Sequence, residues 1–488
     1  MLRPKITILS EALVNQVISE GLALLVDPGI RVHNAEALKL LADAGADVDL
    51  DKQVARIPES LVRKALRTAP HEFYLYDLTG SPVVHYGGDD VQFDPGSAGI
   101  SILDSQTQRQ RPPVTADFVK FVRLVECLPQ IDAQSTAFVL SDVVEEIGDL
   151  YRLYLALAYM RKPIITGAFR KDTWWVMREL LVAASGGEAE LAARPIAVFD
   201  ACPSPPLLWS DLTCQNLIDC ARSGIPAELV SMPLSGATSP VTLAAAVVQH
   251  TAECMSGVVI NQLARPGAPI IWGGSPAAFD MRKGTTPMGA AETWLIDAAY
   301  VQVGKALDLP THVYMGMSES KLVDAQCGLE SMGGALMAAL CGANMVSGAG
   351  MMDFETCQSF EKLVIDAEII GLSKRVISGI EPRDNPIALT VMRQMGHKAD
   401  YLSHPHTRKW FKKESYLPSE VIDRGSYDAW QKSGEKDTFR RASQRVEELL
   451  KNSPPSPLSP ELRQELRSIT TRAANRFGMA ALPPLPEE

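Results

Sequence analysis

The chain lacks the marks of several large protein classes. No CxxC pair occurs, and the eight cysteines, at 127, 202, 214, 220, 254, 327, 341 and 357, recur at no fixed spacing. This pattern argues against a disulfide framework and for reduced core thiols. Basic charge is short: 47 Lys and Arg stand against 58 Asp and Glu, a formal net charge of -11. A nucleic-acid binder held by phosphate contacts is thereby disfavoured. HExxH, GxSxG and a GxGxxG after the first strand are missing, which removes the usual signatures of a zinc hydrolase, a serine hydrolase and a Rossmann dehydrogenase. The opening MLRPKITILSEALV has no apolar stretch long enough for a signal peptide, so a cytoplasmic protein is expected. The 22 uncharged residues 331–352 reach the length of a membrane span. Five glycines and Asn344 interrupt them, which favours a buried helix feeding a buried strand, with no membrane as partner.

What is present is an ordinary globular composition, 46% hydrophobic and 22% charged over 488 residues. Residues 1–90 read as helices and a small hairpin, with Leu13, Val14, Val17, Ile18, Leu22, Leu24 and Leu25 at helical spacing and Asn34 as a cap. From Val91 the rhythm changes. Eight short apolar runs begin near 91, 131, 163, 195, 226, 268, 310 and 344 and alternate with helical segments. Alternation implies parallel strands with right-handed crossovers, and eight units fit a (β/α)8 TIM barrel over residues 91–379. Residues 380–488 are charged and interrupted, a C-terminal helical extension and tail with a solvated helix at about 436–451.

In such a barrel the reacting groups collect at the carboxyl ends of the strands. Those ends carry Asp94, Gly96 and Ser97 on the first strand, Gln134, Ser135 and Thr136 on the second, and Asp200 and Cys202 on the fourth. Trp272 and Ser275 end the sixth strand, Tyr314, Met315, Ser318 and Ser320 follow the seventh, and Ser347 ends the eighth. Asp94 and Asp200 are either a catalytic carboxylate pair or hydrogen-bonded rim residues. Cys202 has no evident base and reads as a packed thiol. Arg282 and Lys283, in the loop after strand six, are either a solvated turn or a clamp for a carboxylate. Trp272, Tyr314 and Met315 either surround a cation or fill the interior. His404 and His406, two apart, read as structural rather than as metal ligands.

Four stretches are more specific: GGSPAAFDMRKGTTPMGAAET at 273–293, YMGMSESKLVDAQCGLES at 314–331, CGANMVSGAGMMDFE at 341–355 and LSHPHTRKWF at 402–411. They resemble the trimethylamine methyltransferase family, in the branch that lacks pyrrolysine and acts on quaternary amines. The resemblance implies transfer of a methyl group from an amine to the Co(I) of a separate corrinoid (cobamide) protein, with no cofactor bound permanently and no metal. No DxHxxG motif is present to hold a corrinoid in this chain. Pyrrolysine-bearing relatives place that residue near the loop after strand seven, where this chain has only standard residues. A quaternary substrate is therefore expected, because its departing tertiary amine is neutral and needs no protonation. Glycine betaine is the expected methyl donor, with carnitine, proline betaine and choline as alternatives. The expected substrate-binding set is Asp94, Ser135, Asp200, Trp272, Arg282, Lys283, Tyr314, Met315, Ser318, Lys321, Gln326 and Ser347. Two rival readings are a betaine-binding barrel without catalysis and an unrelated aldolase with Lys321 as Schiff-base lysine. Trp410, Phe411, Tyr416 and Trp430 offer aromatic surface for a homo-oligomer.

Overall fold

Eight short parallel strands stand where the eight apolar runs predict them. In a computed structural model that describes residues 3–96, 98–397 and 400–486, they are Gln92–Pro95, Gln134–Ser135, Ile164–Thr166, Ala197–Ala201, Ala227–Ser231, Ile270–Gly274, His312–Tyr314 and Met345–Ala349. Ser97 lies outside the described residues. Nearly every residue of these strands is buried, as strands covered by helices must be. The second to sixth strands form one parallel sheet and the seventh, eighth and first another. Two seams join them. Trp272 N donates to Pro310 O at 2.8 Å between strands six and seven, and Asp132 N donates to Phe93 O at 2.8 Å between strands one and two.

Helices follow the strands in turn: Thr115–Glu126, Gly148–Tyr159, Lys171–Ser185, Asp211–Ser223, Leu243–Ala264, Ala291–Ala306, Ala325–Cys341 and Phe360–Ile377. Their ends are written locally. Asp324 caps Ala325–Cys341 by accepting from Cys327 N, and Gly342 closes it at φ 76°. That helix and the strand Met345–Ala349 account for the uncharged run 331–352. Leu243–Ala264 is long and apolar enough to cross a membrane, yet 83% of its apolar window is buried inside the protein. It has no polar face because helices surround it, Glu11–Val26 among them.

The amino ends of the strands are sealed by the hairpin Phe73–Tyr76 and Pro82–Tyr86. Its Leu75, Val84 and Tyr86 pack with Ala133, Ile165, Val198, Ile271 and Met345 as a floor. The carboxyl ends are consequently where the interior can open. Beyond residue 380 the chain makes further helices, of which Thr438–Lys451 packs on Phe360–Ile377 and buries Ala442 and Val446. The expected solvated helix at this position is thus amphipathic and docked.

Candidate active site

Along a strand, side chains alternate between faces, so two residues beyond the apolar floor the interior meets Ser135, Gly167, Asp200, Gly273 and Ser347. Asp94, Glu228 and His312 join them from neighbouring strands. Glu228 Oε1 lies 2.5 Å from His312 Nδ1 with both side chains fully buried. His312 Nε2 lies 3.1 Å from Ser347 Oγ, and Ser347 Oγ donates to Asp94 Oδ2 at 3.0 Å. Hydrogen bonds thereby link His312, Ser347 and Asp94 across strands seven, eight and one, and Glu228 of strand five lies against His312 with neither Glu228 Oε1 nor His312 Nδ1 in a hydrogen bond among the described residues. Gly273 makes room for it: a β-carbon there would stand 2.8 Å from His312 Cβ, so only glycine fits.

Burial dominates the electrostatics. It pushes the Asp94 and Asp200 carboxyls well above the usual carboxylate range, and the neighbouring Glu228 raises both further. Burial lifts Glu228 to about 8 and drives His312 down to about 3. The cluster is thus poised to lose protons if a positive charge arrives beside it. Asp94 Oδ1, shielded from solvent, has no hydrogen-bond partner among the described residues, an unusual condition for a buried carboxyl oxygen. Arg152, fully buried, gives its protons to Thr136 O and Gly148 O.

Above the cluster the wall turns apolar and sulfur-rich. Val230, Ala277, Met288, Tyr314, Met317 and Met351 pack together, with Cys202 and Leu234 against them. Burial pushes the Cys202 thiol well up, which makes it a packed thiol and a poor nucleophile. A cavity of about 530 Å³ opens here, lined by Pro205, Met232, Leu234, Thr238, Ser275, Thr285, Thr286, Met288, Phe354 and Glu355. A second cavity of about 650 Å³ lies farther out, bordered by Asp280, Arg282, Glu292, Glu319, Lys321, Gln326, Glu330 and Phe354 among others. Phe354 borders both. Among the described residues, no group of three or more His, Cys, Asp or Glu side chains is arranged to hold a metal ion.

The expected site residues divide into three groups. Asp94, Asp200, Tyr314 and Ser347 come together in the interior, with Tyr314 stacked edge-on against His312 at 4.7 Å. Ser135 also faces inward but spends its hydroxyl on Gly96 O at 2.7 Å. Arg282, Lys321 and Gln326 border the outer cavity. There Arg282 pairs with Asp280 at 2.8 Å, Lys321 with Asp353 at 3.2 Å, and Gln326 donates to Glu330. Ser318 donates to Glu330 at 2.6 Å; Lys283 is exposed in the turn after Arg282. Trp272 and Met315 do not reach the interior. Trp272 points to the helix layer, where its Nε1 donates to Tyr300 O at 3.1 Å and its ring fits over Gly304. Met315 belongs to the same outer core. Residue parity is the reason, since neighbours on a strand face opposite ways. His404 caps the helix Pro405–Glu414 and His406 lies 3.3 Å from Asp384, both structural.

Glu228, His312, Phe354 and Glu355 escape a reading confined to strand ends. A signal exists for the first two: each is an ionisable residue inside an otherwise apolar strand, AELVS and HVY.

A family model described as trimethylamine methyltransferase (MTTB) matches residues 2–478. A trimethylamine methyltransferase of Methanosarcina barkeri is 32% identical over 462 residues, covering 93% of this chain and 92% of the relative. One from Desulfitobacterium hafniense is 29% identical over 459 residues, with 94% and 92% covered. A glycine betaine methyltransferase of Desulfitobacterium hafniense is 28% identical over 479 residues, with 98% and 99% covered. In fold the chain is similar to the crystal structure of the Methanosarcina barkeri monomethylamine methyltransferase, at a TM-score of 0.51 and 12% identity, with 89% and 87% covered.

Proposed function

The chain belongs to the trimethylamine methyltransferase family, and on that premise we propose that it moves a methyl group from a quaternary amine to the Co(I) of a separate corrinoid protein. We further infer that the eight strands close as a (β/α)8 barrel, a reading the hydrogen bonds at both seams support. The observation that carries the functional reading is the inner cavity. It is lined by methionine, aromatic and hydroxyl groups together with Glu355, and among the described residues holds no Lys, Arg or His in its lining. Such a lining suits a methylated cation, which has no proton to donate and is held by soft surfaces and negative charge.

The chemistry asked of these residues is placement. The methyl leaves without the bonding pair, which stays on nitrogen, so the departing amine is neutral and no acid is needed at that atom. Co(I) supplies the electron pair for the new bond. The chain's contribution is to hold the N–CH3 bond in line with the mouth and to keep water out. Burial holds Asp94, Asp200 and Glu228 toward their neutral forms, and an ammonium charge beside them would favour release of a proton from this cluster. Of the candidate donors, glycine betaine is first, with carnitine, proline betaine and choline behind it. A carboxylate tail that points outward meets Arg282 and Lys321 at the border of the outer cavity.

Product analysis separates this enzyme from a non-catalytic binder of betaines. Incubation of the protein with a Co(I) corrinoid protein and glycine betaine should yield dimethylglycine by mass spectrometry. Binding of quaternary amines with no demethylated product from any of them would favour the binder.

A further inference from the structure

Asp353, Phe354 and Glu355 have φ values of 49°, 56° and 66°. Three successive residues other than glycine thus occupy the left-handed region, which L-residues usually visit singly. Strain of this kind persists only where the surroundings hold it, and it gathers at ligand-binding sites. Here the surroundings are explicit. Asp353 is held by Gln110 Nε2 at 2.8 Å on Oδ2, by Lys321 Nζ at 3.2 Å on Oδ1, and by Thr356 N and Oγ1 on its carbonyl. With Asp353 anchored, the turn throws the next two side chains inward.

Phe354 forms the partition between the two cavities, since it borders both. Lys321 Nζ stands 4.2 Å from its ring centroid and borders only the outer cavity, with its charge returned to Asp353. Glu355 reaches the other way. Its Oε1 lies 3.4 Å from where a β-carbon on Gly96 would stand, and its charge helps raise the Cys202 thiol. Among the described residues it is the charged one in the lining of the inner cavity.

We propose that Phe354 and Glu355 are the recognition element for the quaternary ammonium head, an aromatic face and a counter-charge locked together by the left-handed turn. This rests on the amine methyl-transfer reading and assigns the cation to two residues that the family resemblance does not single out. The turn places a ring and a carboxylate from consecutive residues in the lining of one cavity.

Isosteres that exchange N⁺ for carbon test it. Glycine betaine would be compared with 3,3-dimethylbutanoate, and choline with 3,3-dimethylbutanol, by calorimetry on the full chain, with methyl transfer to a Co(I) corrinoid protein measured in parallel. The wild-type protein should prefer the cation of its substrate pair. Phe354→Leu and Glu355→Gln should each reduce that preference about tenfold, in line with a desolvated cation–π contact or counter-charge. Phe354→Tyr, which keeps the ring, should restore it, and thermal melting would confirm that each variant is folded. Unchanged preference in folded Phe354→Leu and Glu355→Gln, with methyl transfer intact in the wild type, overturns the assignment and leaves the methyl-transfer reading standing. Absence of cation preference in a wild type that still demethylates the amine overturns it as well. Absence of both binding and transfer overturns the two together.

Discussion

Glu228 Oε1 stands 2.5 Å from His312 Nδ1, and neither side chain is open to solvent. The pair answers to pH in opposite senses. Burial raises Glu228 from 4.5 to about 8, so between those values the folded state keeps a proton that the unfolded state has lost, and stability falls as pH rises. Burial lowers His312 from 6.5 to about 3, so the unfolded state takes up a proton first and stability falls as pH drops through that window. We expect wild type to lose stability relative to Glu228→Gln as pH rises from about 5 to about 8, by at most about 1.4 kcal/mol per pH unit. Relative to His312→Asn it should lose stability as pH falls below about 6.5. Urea denaturation across the pH range checks both, and differences that stay flat would contradict the burial account.

The loops after strands seven and eight hang on one buried ion pair. Lys362 Nζ lies 2.5 Å from Asp366 Oδ2 and 3.2 Å from Gly316 O, while Gly350 N donates to Asp366 Oδ2 at 2.7 Å. Lys362→Met leaves a buried carboxylate without its partner and should cost about 3–5 kcal/mol. The double variant Lys362→Met with Asp366→Leu should recover a large part of that, as read by chemical denaturation. A double variant no better than the single one would show that the lysine acts through packing instead.

Trp272 supports the helix layer and not the ligand. Trp272→Phe removes the hydrogen bond to Tyr300 O and part of the contact over Gly304, for an expected loss of about 1–3 kcal/mol. Calorimetric affinity for a quaternary amine should stay at the wild-type value.

Arg282 bears on the tail of the substrate. Its side chain is 86% exposed and paired with Asp280, so its hold on a carboxylate is weak. Arg282→Ala should raise KM a few-fold for a carboxylate-bearing donor and leave choline unaffected, in keeping with the small worth of exposed charge pairs. An equal rise for both donors would place the effect in the loop's shape.

Much of this architecture is legible in the chain. Apolar runs such as PIITGAF and PAELVSM, each followed by a helix-spaced segment, reveal the strands because parallel strands covered on both sides cannot afford polar positions. That same rule makes Glu228 and His312 conspicuous in hindsight: an ionisable group in such a run has to face a polar interior. Their pairing was not legible, since it joins strands five and seven across the interior, 84 positions apart in the chain. Trp272 misleads because face depends on parity, and an apolar run carries no mark of which parity faces inward. Phe354 and Glu355 stay hidden for a different reason. A left-handed turn normally announces itself by glycine, and here side-chain anchors on Asp353 replace it.

The central claim is methyl transfer from a quaternary amine to cobalt. The direct measurement mixes the purified protein with a reduced corrinoid protein and a panel of glycine betaine, carnitine, proline betaine and choline, and follows the cobalt absorption spectrum. The account predicts conversion of Co(I) to the methylated Co(III) form with at least one of them, dependent on this protein. A spectrum that remains that of Co(I) with every quaternary amine would contradict it.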